Sequence, residues 1–208
     1  MPTKRTRARR PSIPRSLPSA SPRAGLIRSR DLVAHGTTRV ALSRLVQQGA
    51  LLRVGRGIYA RADFSPTEHH GLAVAAAQVP SAVVCLLSAL QFHRLTTQAP
   101  FEVWLAVGGK ARKPTLAGSS VRIVRFSGRA LTEGVEVHQI EGVPVRVTSL
   151  ARTVADCFKY RNKIGLDVAL EALKEYRRSR RSIDDLVRAA RIVRVENVMR
   201  PYLEAVAA

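Results

Sequence analysis

The chain has 208 residues, 46% of them apolar, with 35 lysines and arginines against 15 acids and a formal net charge of +20. That apolar share supports a packed core and excludes a disordered basic protein, while the length fits one large or two small domains. The charge points to a polyanion; no apolar run approaches the roughly 18 residues that cross a bilayer, so nucleic acid is the expected partner rather than a membrane.

The opening stretch, MPTKRTRARRPSIPRSLPSASPR, is rich in Arg, Ser and Pro and holds no acid. It lacks the apolar centre of a secretory signal, and its prolines forbid an amphipathic leader helix. Residues 1–24 read as a disordered basic arm that attracts phosphates without regard to sequence. Residues 25–64 read as a winged helix-turn-helix. Ser29 is placed to cap a first helix with Asp31 in its first turn, and Gly36 allows the chain to reverse. Thr37 or Thr38 caps a second helix, in which Ala41, Leu42, Leu45 and Val46 recur at helical spacing. Arg39, Ser43, Arg44, Gln47 and Gln48 fall on its other side, the side-chain types that meet base edges and phosphates in a major groove. LLRVGRGIYAR then alternates as a hairpin with Gly55-Arg56 at its turn, carrying Arg53, Arg56 and Arg61 toward a phosphate backbone.

Residues 65–208 read as a second, α/β domain. Ser65-Pro66-Thr67-Glu68 has the form of a capping box opening an Ala-rich helix that ends before Pro80 and braces both modules. A buried strand over 82–87 and a short helix over 88–94 follow. The period then shifts to two: 101–107, 121–126, 135–140 and 143–147 read as strands, the last two a hairpin across Glu141-Gly142. GGKARKPTLAGSS between the first two is a mobile basic loop. From Thr148 or Ser149 the pattern turns helical, with a helix from Ile164 to Arg177, another from Ser182 and a last from about Val195. The fold class is therefore α+β: a winged helix-turn-helix, then a small, mostly antiparallel sheet covered by helices. Cys85 and Cys157 sit among apolar residues, which favours buried reduced thiols over a disulfide.

Signs of catalysis are sparse. His69 and His70 diverge by about 100° on a helix and cannot share a metal unaided. His93 lies near Ser88, but nothing there resembles a nucleophile elbow. Gly108-Gly109-Lys110-Ala111 lacks the first glycine and the Ser/Thr of a phosphate loop. A metal-dependent nuclease needs clustered acids, and Glu102 is followed by Trp104 rather than a lysine two residues on. Arg152 and Asp156 form an i,i+4 pair worth about 0.3–0.5 kcal/mol if exposed. If partly buried, the pair orders its helix against the sheet. No enzyme activity, metal or cofactor is expected.

The winged segment ending in RVGRGIYA, the helix Ser88-Ala89-Leu90-Gln91-Phe92-His93-Arg94-Leu95 and the stretch TSLARTVADC, in that order, resemble the AbiEi-type antitoxins of type IV toxin-antitoxin systems over residues 28–178. The resemblance implies a cytoplasmic regulator whose first domain binds inverted repeats in double-stranded DNA and represses its own operon. Its second domain would counteract a nucleotidyltransferase toxin without a stable complex. It assigns DNA contact to Thr38, Arg39, Ser43 and Arg44 on the second helix and to Arg53 and Arg56 on the wing. It assigns no chemistry to Asp156. Pro14, Pro18 and Pro22 interrupt the region where the family places a further helix. Gly118-Ser119 lacks the following acid pair of a nucleotidyltransferase, so the chain is not the toxin itself. Lys110, Arg112, Lys113, Arg122 and Arg125 suggest a second polyanion-facing surface. The rival readings are a stand-alone winged-helix regulator and a divergent nucleic-acid-processing enzyme.

Overall fold

A computed structural model describes residues 25–98, 100–114, 116 and 120–207. The basic arm expected over 1–24, its prolines and Gly118-Ser119 lie outside the described residues. The chain enters through β1 (Leu26–Arg28), a strand too short for its alternation to show in the sequence. It pairs antiparallel with β3 (Ile58–Arg61), and β2 (Leu51–Gly55) pairs on the other side of β3. Between β1 and β2 lie α1 (Ser29–Ala34) and α2 (Arg39–Gln47). Arg28 rather than Ser29 occupies the cap position of α1, and the Ser29 amide donates to the Gly57 carbonyl at 2.8 Å. The hairpin turn is Arg56-Gly57, one residue later than expected, because the left-handed conformation (φ +70°) falls on Gly57.

Helix α3 (His70–Gln78) starts later than its capping-box signal. The Thr67 amide and hydroxyl both donate to Glu141 Oε1, at 2.8 and 2.9 Å, so this tertiary contact replaces the local cap. Every residue from Leu72 to Ala77 is buried, which small alanine side chains permit between two packed layers. After α3 come β4 (Val83–Val84), α4 (Leu86–Phe92), β5 (Val103–Gly108), β6 (Val121–Phe126), a 3-10 turn (Gly128–Leu131), β7 (Val135–Ile140) and β8 (Val143–Thr148). Helices α5 (Leu150–Lys159), α6 (Arg161–Ile164), α7 (Leu166–Arg178), α8 (Ile183–Val193) and α9 (Glu196–Ala207) complete the chain. The helix expected from Ile164 is divided at Gly165, whose φ of +96° ends α6 before α7 begins.

The second sheet has the order β6-β5-β4-β8-β7. It is evenly mixed rather than mostly antiparallel: β4–β5 and β7–β8 run antiparallel, β5–β6 and β4–β8 parallel. Only β7–β8 carried a local turn signal; the other pairings join distant segments that short-range patterns do not report. Alternation divides the sheet's two faces. Trp104 and Ala106 pack with α5, α7 and α8, whereas Leu105 and Val107 pack with α3 and, through it, with Leu26, Ile58 and Ala60 of the first sheet. The expected bracing role of α3 is therefore met by a core continuous across both sheets.

Glu141 fixes this junction. Its φ is +51° and its side chain is 1% exposed. Besides Thr67, it accepts from His70 Nδ1 at 2.8 Å, and its backbone carbonyl accepts from the Leu26 amide at 3.1 Å. Hydrogen bonds to a buried charge are strong, and losing them strands their donors. Glu141→Ala should lower the unfolding free energy by about 2–3 kcal/mol in a urea titration, and Glu141→Gln by less. A loss near zero for Glu141→Ala would show that the junction holds without this carboxylate.

Candidate nucleic-acid interface

The short α1 cannot hold itself together; it is kept by Leu32, which is fully buried against Leu42, Leu45, Ala50 and Leu51. Thr38 caps α2, its Oγ1 accepting from the Ala41 amide at 3.2 Å. With Leu42 and Leu45 turned inward, the opposite face of α2 is determined: Arg39, Ser43, Arg44 and Gln47 are exposed, as is Thr38 at its start. Val40 is 61% exposed on the same helix, an apolar residue outside the core that the amphipathic pattern did not single out.

Arg53 and Arg56 are exposed on the adjoining β2–β3 hairpin. The Gly57–Ser29 hydrogen bond ties the hairpin tip to the start of α1, so helices and hairpin form one unit. Arg61 is exposed at the end of the hairpin, where it is ion-paired. Both its Nε and Nη2 donate to Asp63 at 2.8 Å, and this contact raises the guanidinium pKa further. Its charge is compensated locally.

The structure also gathers residues that sequence reading passed over. Arg28, Arg30 and Arg56 line a cleft of about 350 Å³, together with Gln78 from the end of α3. Gln78 Nε2 is buried there without a hydrogen-bond partner among the described residues. Arg28 donates to Asp31 at 2.8 Å. The sequence signal for Arg28 and Arg30 was their closeness to α1; Gln78 gave none, since it arrives through the fold.

The five residues of the expected second basic surface separate. Arg122 pairs with Glu102 at 2.9 Å and lies over Trp104, 5.1 Å from its ring centroid. Arg125 folds under the loop, donating to the carbonyls of Gly108, Gly109 and Ala111. Lys110, Arg112 and Lys113 are exposed on that loop. Arg122 and Arg125 thus have structural work, while the three loop cations face solvent.

Residues 15–62 match the family described as "Transcriptional regulator, AbiEi antitoxin". The AbiEi match ends just after β3, so it takes in both helices and the hairpin. The Ser88–Leu95 helix and the TSLARTVADC stretch of the broader resemblance lie beyond it. No curated protein matches the chain.

The remaining candidates have structural partners. The Trp104 amide donates to Ser88 Oγ at 2.9 Å, His93 Nε2 donates to the Thr148 carbonyl at 2.7 Å, and burial lowers the His93 pKa. His69 and His70 do diverge, but each is partly buried: His70 meets Glu141 and His69 packs on Phe92 with 4.9 Å between ring centroids. Cys85 and Cys157 are free, buried thiols. Among the described residues no three His, Cys, Asp or Glu side chains cluster in a metal-holding arrangement, and no helix is long and apolar enough to cross a membrane.

Arg152 and Asp156 do not form an ordinary surface pair. Both are completely buried, with Arg152 Nε donating to Asp156 Oδ1 at 3.0 Å. Burial pushes the Asp156 carboxyl up to about 7, against the opposing pull of Arg152. The unfolded chain releases this proton near pH 4, as ordinary carboxyls do (about 3.9). Between about pH 4 and 7 the folded state therefore binds the extra proton, and its stability falls as pH rises, levelling off above that window. The slope from this one group approaches about 1.4 kcal/mol per pH unit. Denaturation of wild type and Asp156→Asn should show the wild type losing relative stability from about pH 4 to about pH 7; parallel profiles would mean that Asp156 is ionised throughout.

Proposed function

We propose that residues 25–64 are a winged helix-turn-helix that reads duplex DNA, and that the chain is a non-enzymatic antitoxin repressing its own operon. The single observation that carries this reading is the outward face of α2. Leu42 and Leu45 hold the helix down while Arg39, Ser43 and Arg44 stand clear of the core. The AbiEi match over residues 15–62 adds independent support for a regulator or antitoxin.

In this reading α2 enters the major groove. Arg39 and Arg44 suit guanine edges, Thr38 and Ser43 suit either base or phosphate, and Val40 offers an apolar contact for a thymine methyl. Arg53 and Arg56 meet the flanking backbone. The cleft of Arg28, Arg30 and Gln78 takes a phosphate, whose oxygens satisfy the buried Gln78 amide. The arm at residues 1–24 adds charge-driven affinity, and inverted repeats would engage two copies. Counteraction of a nucleotidyltransferase toxin by residues 65–208 rests on the AbiEi resemblance. Coexpression with the product of an adjacent nucleotidyltransferase gene separates the antitoxin from a stand-alone regulator.

Arg44→Ala should weaken binding to the operator by about 1–3 kcal/mol and relax specificity at one position. Arg56→Ala should weaken all sequences alike and reduce the salt slope by about 1. Mobility shifts on the upstream DNA of the gene measure both. If neither substitution changes binding, α2 and the hairpin are not the reader.

A further inference from the structure

A second cleft lies far from α2 in the chain, between the 3-10 turn, α5 and the end of α8, with a volume of about 380 Å³. That is within the size range of small-molecule sites. Its exposed lining is cationic: Arg129, Arg191 and Arg194 all border it. Arg129 and Arg191 are engaged with Glu133 and Glu196 in exposed pairs, which cost little to exchange for a better anion. Arg194 has no side-chain partner among the described residues. It also occupies the left-handed position that ends α8, at φ +61°, where glycine is the usual residue. Such a conformation is unfavourable for arginine, and it sets a guanidinium beside the cleft.

The buried end of the cleft has the opposite character. Asp156 lines it, fully buried, with Oδ1 taken by Arg152 and Oδ2 left without any hydrogen-bond partner among the described residues. Buried polar atoms are nearly always satisfied, so an orphaned oxygen in a cleft wall calls for a partner from outside, which is a donor when the carboxyl is ionised. Lys159 stands nearby, using one of its ammonium donors on the Val193 carbonyl at 2.9 Å. The cleft is therefore cationic at its rim and has an unpartnered carboxyl oxygen at its base, an acceptor once the carboxyl is ionised. A duplex backbone meets only the rim of such a concavity, and its uniform negative charge offers nothing to Asp156.

We propose that this cleft binds a small phosphorylated molecule that also carries a hydrogen-bond donor, the chemistry of a nucleotide. The phosphates lie against Arg129, Arg191 and Arg194, and an amino or hydroxyl group of the ligand reaches Asp156 Oδ2. The site goes beyond the DNA reading and shares no residue with it.

Calorimetric titration of the full chain tests this, with ATP and GTP as probes, pyrophosphate as the anion alone, and adenosine and guanosine as the donor alone. At least one nucleotide should bind about tenfold or more tightly than pyrophosphate or either nucleoside. Arg194→Gly suits the left-handed position, so it should fold with an undiminished thermal midpoint yet weaken nucleotide binding about tenfold. Asp156→Asn should remove the margin over pyrophosphate; if it fails to fold, Arg194→Gly decides alone. The proposal is overturned by no binding of any nucleotide, by pyrophosphate binding equally well, or by unchanged affinity in Arg194→Gly. Full competition by short duplex DNA of random sequence also overturns it, making the cleft a nucleic-acid surface. Operator binding by Arg194→Gly should stay at the wild-type level, so failure here leaves the α2 reading untouched.

Discussion

A guanidinium without an exposed atom must find every one of its acceptors inside the protein, and Arg152 organises the second half of the fold by doing so. Its Nε meets Asp156, its Nη1 the Glu133 carbonyl at 2.6 Å and its Nη2 the Ala130 carbonyl at 2.8 Å. Those carbonyls belong to the link between β6 and β7, so α5 dictates where that link runs. The approach is close: a Cβ on Gly134, which sits at φ +62°, would come within 3.1 Å of Arg152 Cβ. Such a buried pair contributes little net stability compared with apolar packing, but removing one member leaves a charge stranded. Its effect is to select one arrangement of helix, link and sheet edge.

The first half depends on a different economy of space. Alanines at 73 and 75–77 let α3 touch both sheets, and the core runs from Leu26 through α3 to Val145 and Val147. The first sheet and its two helices consequently do not stand on a core of their own. Only Leu32, Leu42, Leu45, Ala50 and Leu51 form a separate small cluster, which steadies α1 and α2. Gln78 at the end of α3 reaches the arginine cleft for the same reason: the helix that joins the two sheets delivers it there.

Features with a local physical cause were readable from the sequence. The apolar spacing of 41, 42, 45 and 46 reported α2, the Thr37-Thr38 pair contained its cap, and Glu141-Gly142 marked the β7–β8 hairpin. The outward arginines followed from the inward leucines. What escaped notice depended on distant segments. β1 is three residues long and exists because β3 offers it an edge. The capping box at Ser65–Glu68 yielded to Glu141, which is remote in sequence but adjacent in space. The parallel pairings of β5 with β6 and β4 with β8 carry no turn signal. The Arg152–Asp156 spacing was visible, but its complete burial was not, since burial is decided by what packs over α5.

Because the β7–β8 turn grips β1 through its backbone and α3 through the Glu141 carboxylate, the face bearing Arg39 and Arg44 cannot swivel on a tether. In the DNA-reading role proposed above, two molecules settling on neighbouring half-sites would have to bring their entire bulk into phase with the helical repeat of the duplex. Operator spacing would then be measured by the shape of the protein rather than by the slack of a linker.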